Sequence, residues 1–168
     1  MKSDCSVFKY FPYRPRYYLR HPFEWIGDKW RALKWAKQRA IRGYADCDIW
    51  NMDSWFSSVV PEMLEQLAEE ANGWPDGKFE TFGEWQQWLR DTAAAIKMMR
   101  EEEQDAINPY WPAYQEELGN WQYTEKGYAP SELSHKYQAE ASRIAEAMQE
   151  KFEQAMISFS KNFHCLWD

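Results

Sequence analysis

Residues 131–162 read SELSHKYQAEASRIAEAMQEKFEQAMISFSKN. Within them Tyr137, Ala141, Ile144, Met148, Phe152, Ala155 and Phe159 follow one another at spacings of three or four. That rhythm puts all seven on one helix face and forms a heptad-like seam. Pro130 precedes the stretch, so the helix starts at Ser131 and reaches about residue 162. At about 1.5 Å per residue it is roughly 45 Å long. A single globule of 168 residues struggles to cover such a helix. It either protrudes or pairs with its copy in another subunit, and a homo-oligomer is expected.

Working upstream, the same periodicity recurs. Thr81-Phe82-Gly83-Glu84 is a capping-box pattern, and Trp85, Trp88 or Leu89, Thr92, Ile96 and Met99 mark an inner face behind it. Glu101-Glu102-Glu103 reads as a solvated surface turn. Asn108-Pro109 and Pro112 end regular structure, residues 110–118 add a short helix, and 119–130 form a loop. A further helix starts near Asp46, with a core face of Ile49, Met52, Phe56, Val59 or Val60, Met63 and Leu67. Pro61 is expected to kink or split it, and Asn72-Gly73 to stop it. A first helix spans roughly 23–42, with Pro22 near its start and Gly43 as its stop. Its face reads Ile26, Trp30, Leu33, Lys37 and Ala40 or Ile41. Residues 1–22 hold Pro12, Pro15 and Pro22, which argue against a helix. The expected architecture is one all-α domain over 1–168. It is a bundle of about four main helices with an extended, basic and aromatic N-terminal arm and a long C-terminal helix.

Composition narrows the function classes. No apolar run approaches the roughly 18 residues that span a bilayer, so no membrane association is expected. Residues 1–20 have no apolar h-region, so no secretory signal is expected. The three cysteines, Cys5, Cys47 and Cys165, are odd in number and far apart. That suits a reducing cytosol and not a disulfide framework. Trp, Tyr and Phe make up 18% of the chain, and mean hydropathy is −0.82 partly because that scale rates Trp and Tyr as polar. Rings beyond the needs of a core suit an interface or a base-stacking pocket.

The net charge of −7 is unevenly spread. Residues 1–44 hold eleven Lys and Arg against three acids, and the remainder holds nine against twenty-four. Either the basic segment meets an anionic partner, or it packs on the acidic body of its own chain or of a second subunit. The acidic whole disfavours duplex DNA.

Catalytic signatures are sparse. Glu132-x-x-His135 has di-iron spacing, but such sites need two of these motifs and two more glutamates. His164-Cys165 is an adjacent pair whose side chains point apart on a helix. G-x-S-x-G, G-x-x-x-x-G-K and G-x-G-x-x-G do not occur. Asp46, Asp48 and Asp53 are the remaining candidates. Paired aspartates can hold Mg²⁺ or act as acid and base. The plainer account has Asp46 capping the helix, Asp48 in its first turn, and Asp53 paired with an Arg of the first helix. No catalytic residue, metal or cofactor is assigned.

The segment Arg42-Gly43-Tyr44-Ala45-Asp46-x-Asp48-x-Trp50-x-x-Asp53-x-Trp55-Phe56, followed by Val59-Val60-Pro61, resembles a family of small uncharacterised proteins encoded in tailed-phage genomes. The similarity runs loosely from Tyr18 to about Leu89. It implies a phage accessory protein made in the cytoplasm of a bacterial host, of a kind that acts by binding more often than by chemistry. Arg14-Pro15-Arg16-Tyr17-Tyr18-Leu19-Arg20-His21 alternates bases with rings. Arginines clamp phosphates and rings stack on nucleobases. The expected function is a counter-defence binding protein that sequesters a small anionic nucleotide immune signal without turning it over. Arg16, Tyr18, Arg20, Arg42, Tyr44, Trp50 and Trp55 are the candidate ligand-binding residues. The alternatives are a protein–protein inhibitor of a host defence or nucleic-acid-processing protein, and a metal-dependent phosphodiesterase or nuclease.

Overall fold

A computed structural model describes residues 22–75, 77–120 and 131–167. The arm, with Arg16, Tyr18 and Arg20, and most of the 119–130 loop lie outside the described residues. Those described are helical and carry no strand, so the all-α class holds. They fall into two compact units, one ending at Val59 and one beginning at Val60.

The first unit contains α1 (Pro22–Arg42), α2 (Asp46–Trp50) and the start of α3 (Met52–Glu70). Gly43 ends α1 at φ +81, the left-handed region where a Cβ is strained, and its N–H reaches Arg39 O at 2.9 Å. Ala45 is extended and caps α2 without a side-chain oxygen of its own, its N–H instead being taken by the Asp48 side chain. Asp46 is therefore the first helical residue and not the cap. Asn51, at φ −129 and ψ 54, separates α2 from α3.

The expected single helix from Asp46 onward is thus broken at Asn51, and α3 runs on through Pro61. Asn favours caps over helix interiors because its side chain competes for backbone groups. The inner face of α3 is also rotated from the expected one. Ser57, Pro61, Leu64 and Ala68 are its buried positions, while Ile49 of α2 and Met52 and Met63 of α3 are exposed.

The second unit contains the rest of α3, then α4 (Phe82–Lys97), α5 (Glu101–Ile107), α6 (Trp111–Asn120), α7 (Glu132–Lys161) and a 3-10 turn, Phe163–Cys165. Thr81 caps α4 by accepting from the Glu84 N–H at 3.1 Å, and Ser131 caps α7 by accepting from the Ser134 N–H at 2.9 Å. The acid run 101–103 is the first turn of α5, where negative charge meets the helix dipole, and not a turn outside regular structure. Pro112 lies in the first turn of α6, where its missing N–H costs nothing.

The long helix α7 packs on α4 above all, and also on α5 and α6. Trp85, Leu89, Ala93 and Ile96 of α4 are fully buried, and Ile144 of α7 is nearly so. Trp85 donates its indole N–H to Cys165 O at 3.1 Å, and Trp88 donates to Ser158 Oγ at 2.9 Å. Large rings can be buried here because their polar edges find partners. Tyr114 stacks on Tyr137 at 4.3 Å, and the Tyr137 hydroxyl donates to Asp105 at 2.6 Å. Burial, followed by the hydrogen bond to Asp105, pushes the Tyr137 phenol up. The seam of α7 thus faces its own chain, with Ile144 buried and Tyr137, Ala141, Met148, Phe152, Ala155 and Phe159 half-buried.

Candidate functional site

The site begins with the rotation of α1. Gln38 and Arg39 near its end reach across to α2. Arg39 donates Nε to Asp48 Oδ2 at 2.9 Å and Nη2 to the other oxygen, a two-pronged pair. Asp48 is only 8% exposed, and its Oδ2 also accepts the Ala45 N–H at 2.7 Å. Burial pulls the Asp48 carboxyl upward, but the Arg39 and Ala45 hydrogen bonds outweigh it, and the net shift is downward.

Asp46 sits beside this pair. It accepts from Gln38 Nε2 at 2.7 Å and from Arg42, and lies 3.3 Å from Lys34 Nζ. The Gln38 hydrogen bond first, then Arg42, holds its carboxyl down at about 2. The basic end of α1 therefore pairs in part with acids of its own chain. The arginine contact expected for Asp53 goes to Asp48 instead, and Asp53 is exposed. With Asp46 and Asp48 turned to the cations of α1, the three aspartates do not converge. Among the described residues no group of three or more His, Cys, Asp or Glu is placed to hold a metal. Glu132 is tied to Lys136 at 2.6 Å, and of the terminal pair Cys165 is buried while His164 is exposed.

On the other side of Asp48 a groove of about 520 Å³ opens. Arg42, Tyr44, Asp48, Ile49, Met52 and Trp55 line it, with Gly43 at its edge. Arg42 lies 4.5 Å above the Tyr44 ring and donates Nε to Tyr44 O at 3.0 Å. Cation and ring thus form one wall. Ile49, Met52 and Trp55 add apolar surface to the charged groups of Arg42 and Asp48. The groove's volume is that of a small-molecule site, for which about 300–1,000 Å³ is usual.

Of the seven candidate residues, the structure brings Arg42, Tyr44 and Trp55 to this groove. Trp50 is 87% exposed and does not line it. Ile49 and Met52 were missed as lining because their spacing reads as core. Asp48 was noted only for charge chemistry, and nothing in its local sequence indicates that it underlies a groove. A second concavity of about 450 Å³ lies between α4 and α7, with Trp88, Ala95, Met98, Met148 and Ala155 on its walls and Asp91 and Lys151 among the lining side chains. No helix among the described residues is long and apolar enough to cross a membrane. No family model matches the chain, and no curated protein and no solved structure matches it.

Proposed function

We propose that the protein binds a small anionic nucleotide and withholds it unaltered, as a phage counter-defence factor in the cytoplasm of a bacterial host. One observation carries the reading: a cation and two rings, Arg42, Tyr44 and Trp55, line one groove of ligand size. A nucleobase against Tyr44 and Trp55 gains stacking worth about 1–3 kcal/mol. A phosphate takes Arg42 from Asp46, and Asp46 keeps Gln38 and Lys34 as partners. The only carboxylate among the described lining residues, Asp48, is held ionised and turned toward Arg39, so it is poorly placed as a general acid or as a nucleophile.

The test is mass analysis of what heat releases from the protein after incubation with cyclic and ADP-ribose-type nucleotides. One unaltered nucleotide, with a raised melting temperature that Arg42→Ala and Trp55→Ala each diminish, supports the reading. A cleaved product, or no nucleotide at all, refutes it. The exposure of Trp50 favours a second reading, in which a host protein covers that ring. Stoichiometric co-purification of one host protein, lost in Trp50→Ala, is its signature.

A further inference from the structure

The face of α1 that its periodicity marks as core is its exposed face. Phe23 is 86% exposed, Trp30 74% and Ile41 75%, and Ile26 and Leu33 between them are more than half exposed. The opposite face, Trp25, Ala32, Trp35 and Arg39, is the covered one. Among the described residues of the first unit the only buried apolar side chains are Ala32 and Ala45. This unit therefore leaves its largest apolar surface in water, an arrangement that marks a docking face.

We infer that this stripe is the two-fold interface of a homodimer, with α1 packed antiparallel on α1 of a second copy. The argument rests on area, the symmetry of the stripe and one glycine. Five large side chains over 19 residues expose about the 800 Å² that each partner of a standard interface buries. The stripe is close to symmetric about its midpoint, so a two-fold axis there sets Phe23 opposite Ile41 of the other copy and gathers Trp30 and Leu33 of both copies at the centre.

Helix dipoles select the direction. A parallel pair would set like ends side by side, whereas an antiparallel pair sets each N-terminus beside the C-terminus of its partner. Lys37, the polar member of the stripe, then falls opposite Gly27 of the other copy. Gly27 is exposed in mid-helix, and a Cβ there would meet nothing within 4 Å. Among the described residues nothing gives a reason for a residue that weakens the helix, whereas a crossing helix with a lysine stem does. A lone lysine in an apolar seam also disfavours other registers.

The experiment is sedimentation equilibrium of the full chain, with circular dichroism as the control for folding. The wild type is expected to be dimeric at micromolar concentration, with Trp30→Asp and Leu33→Asp each weakening association at least about 30-fold at unchanged helicity. Gly27→Ala removes no side chain and should weaken association while leaving the fold intact, so it serves if the aspartate variants fail to fold. Phe23→Cys with Ile41→Cys should cross-link two copies under oxidation, and Phe23→Cys alone should not. A monomeric wild type overturns the inference. So does a dimer that survives all three substitutions, or a monomer whose stripe binds vesicles of mixed neutral and anionic phospholipid.

Discussion

Replacing Arg39 by alanine tests how the first unit is held together. The Arg39 and Asp48 side chains are 20% and 7% exposed, and the guanidinium spans both carboxylate oxygens. Removing it leaves Asp48 with the Ala45 N–H as its principal donor, close to an uncompensated buried charge. Breaking a buried pair in this way costs about 3–5 kcal/mol. The residual exposure of Arg39 places the expected loss near the lower figure, about 3 kcal/mol. Asp48→Ala loses a similar amount, because it strands Arg39 and the Ala45 N–H. The double variant strands no charge, so its loss should fall short of the sum of the two by about 2 kcal/mol. Urea unfolding followed by circular dichroism measures all three, and exchange of the Ala45 amide reports the site directly. Both single losses below about 1 kcal/mol, or strict additivity, would refute the idea that this pair sets the rotation of α1. The pH dependence carries a sign as well. The Asp48 carboxyl is depressed in the folded state, so its contribution is full above its unfolded pKa of about 3.9. That contribution is lost as pH falls through the lower folded value.

Asp46→Asn weakens the hold on Arg42 and should tighten binding of an anionic nucleotide several-fold in a thermal-shift titration; weaker binding would count against the groove as the phosphate site. Because Asp46 is held at about 2, that affinity should not change through Asp46 as pH is lowered from 8 to 4. Leu89→Ala opens a cavity at a fully buried position and should destabilise the second unit by about 2–5 kcal/mol in urea unfolding. Gly43→Ala places a Cβ at φ +81 and should cost about 1–2 kcal/mol, with no steric clash to add to it.

Periodicity and capping residues made the helices legible. Ser131 and Thr81 cap α7 and α4 as their patterns indicate, and the inner faces of both follow their apolar spacing. The break in the 46–70 stretch was misplaced because Pro61 is a loud local signal and Asn51 a quiet one. The groove was half legible. Arg42, Tyr44 and Trp55 stand out as residue types, but Ile49 and Met52 look like core until their exposure is known.

The chain's own residues were enough to determine an all-α protein with a long last helix, because helix formation is governed by spacing and end residues only a few positions apart. They did not determine which side of α1 faces in. That helix carries two apolar stripes, Ile26-Trp30-Leu33 and Trp25-Ala32-Trp35, and periodicity fits both. Only the tertiary structure decides between them, through Gln38 and Arg39 reaching Asp46 and Asp48 eight and nine residues on. A buried carboxylate must be paired, whereas an apolar stripe can wait for a partner, so the charge contacts set the rotation and the stripe is left outside.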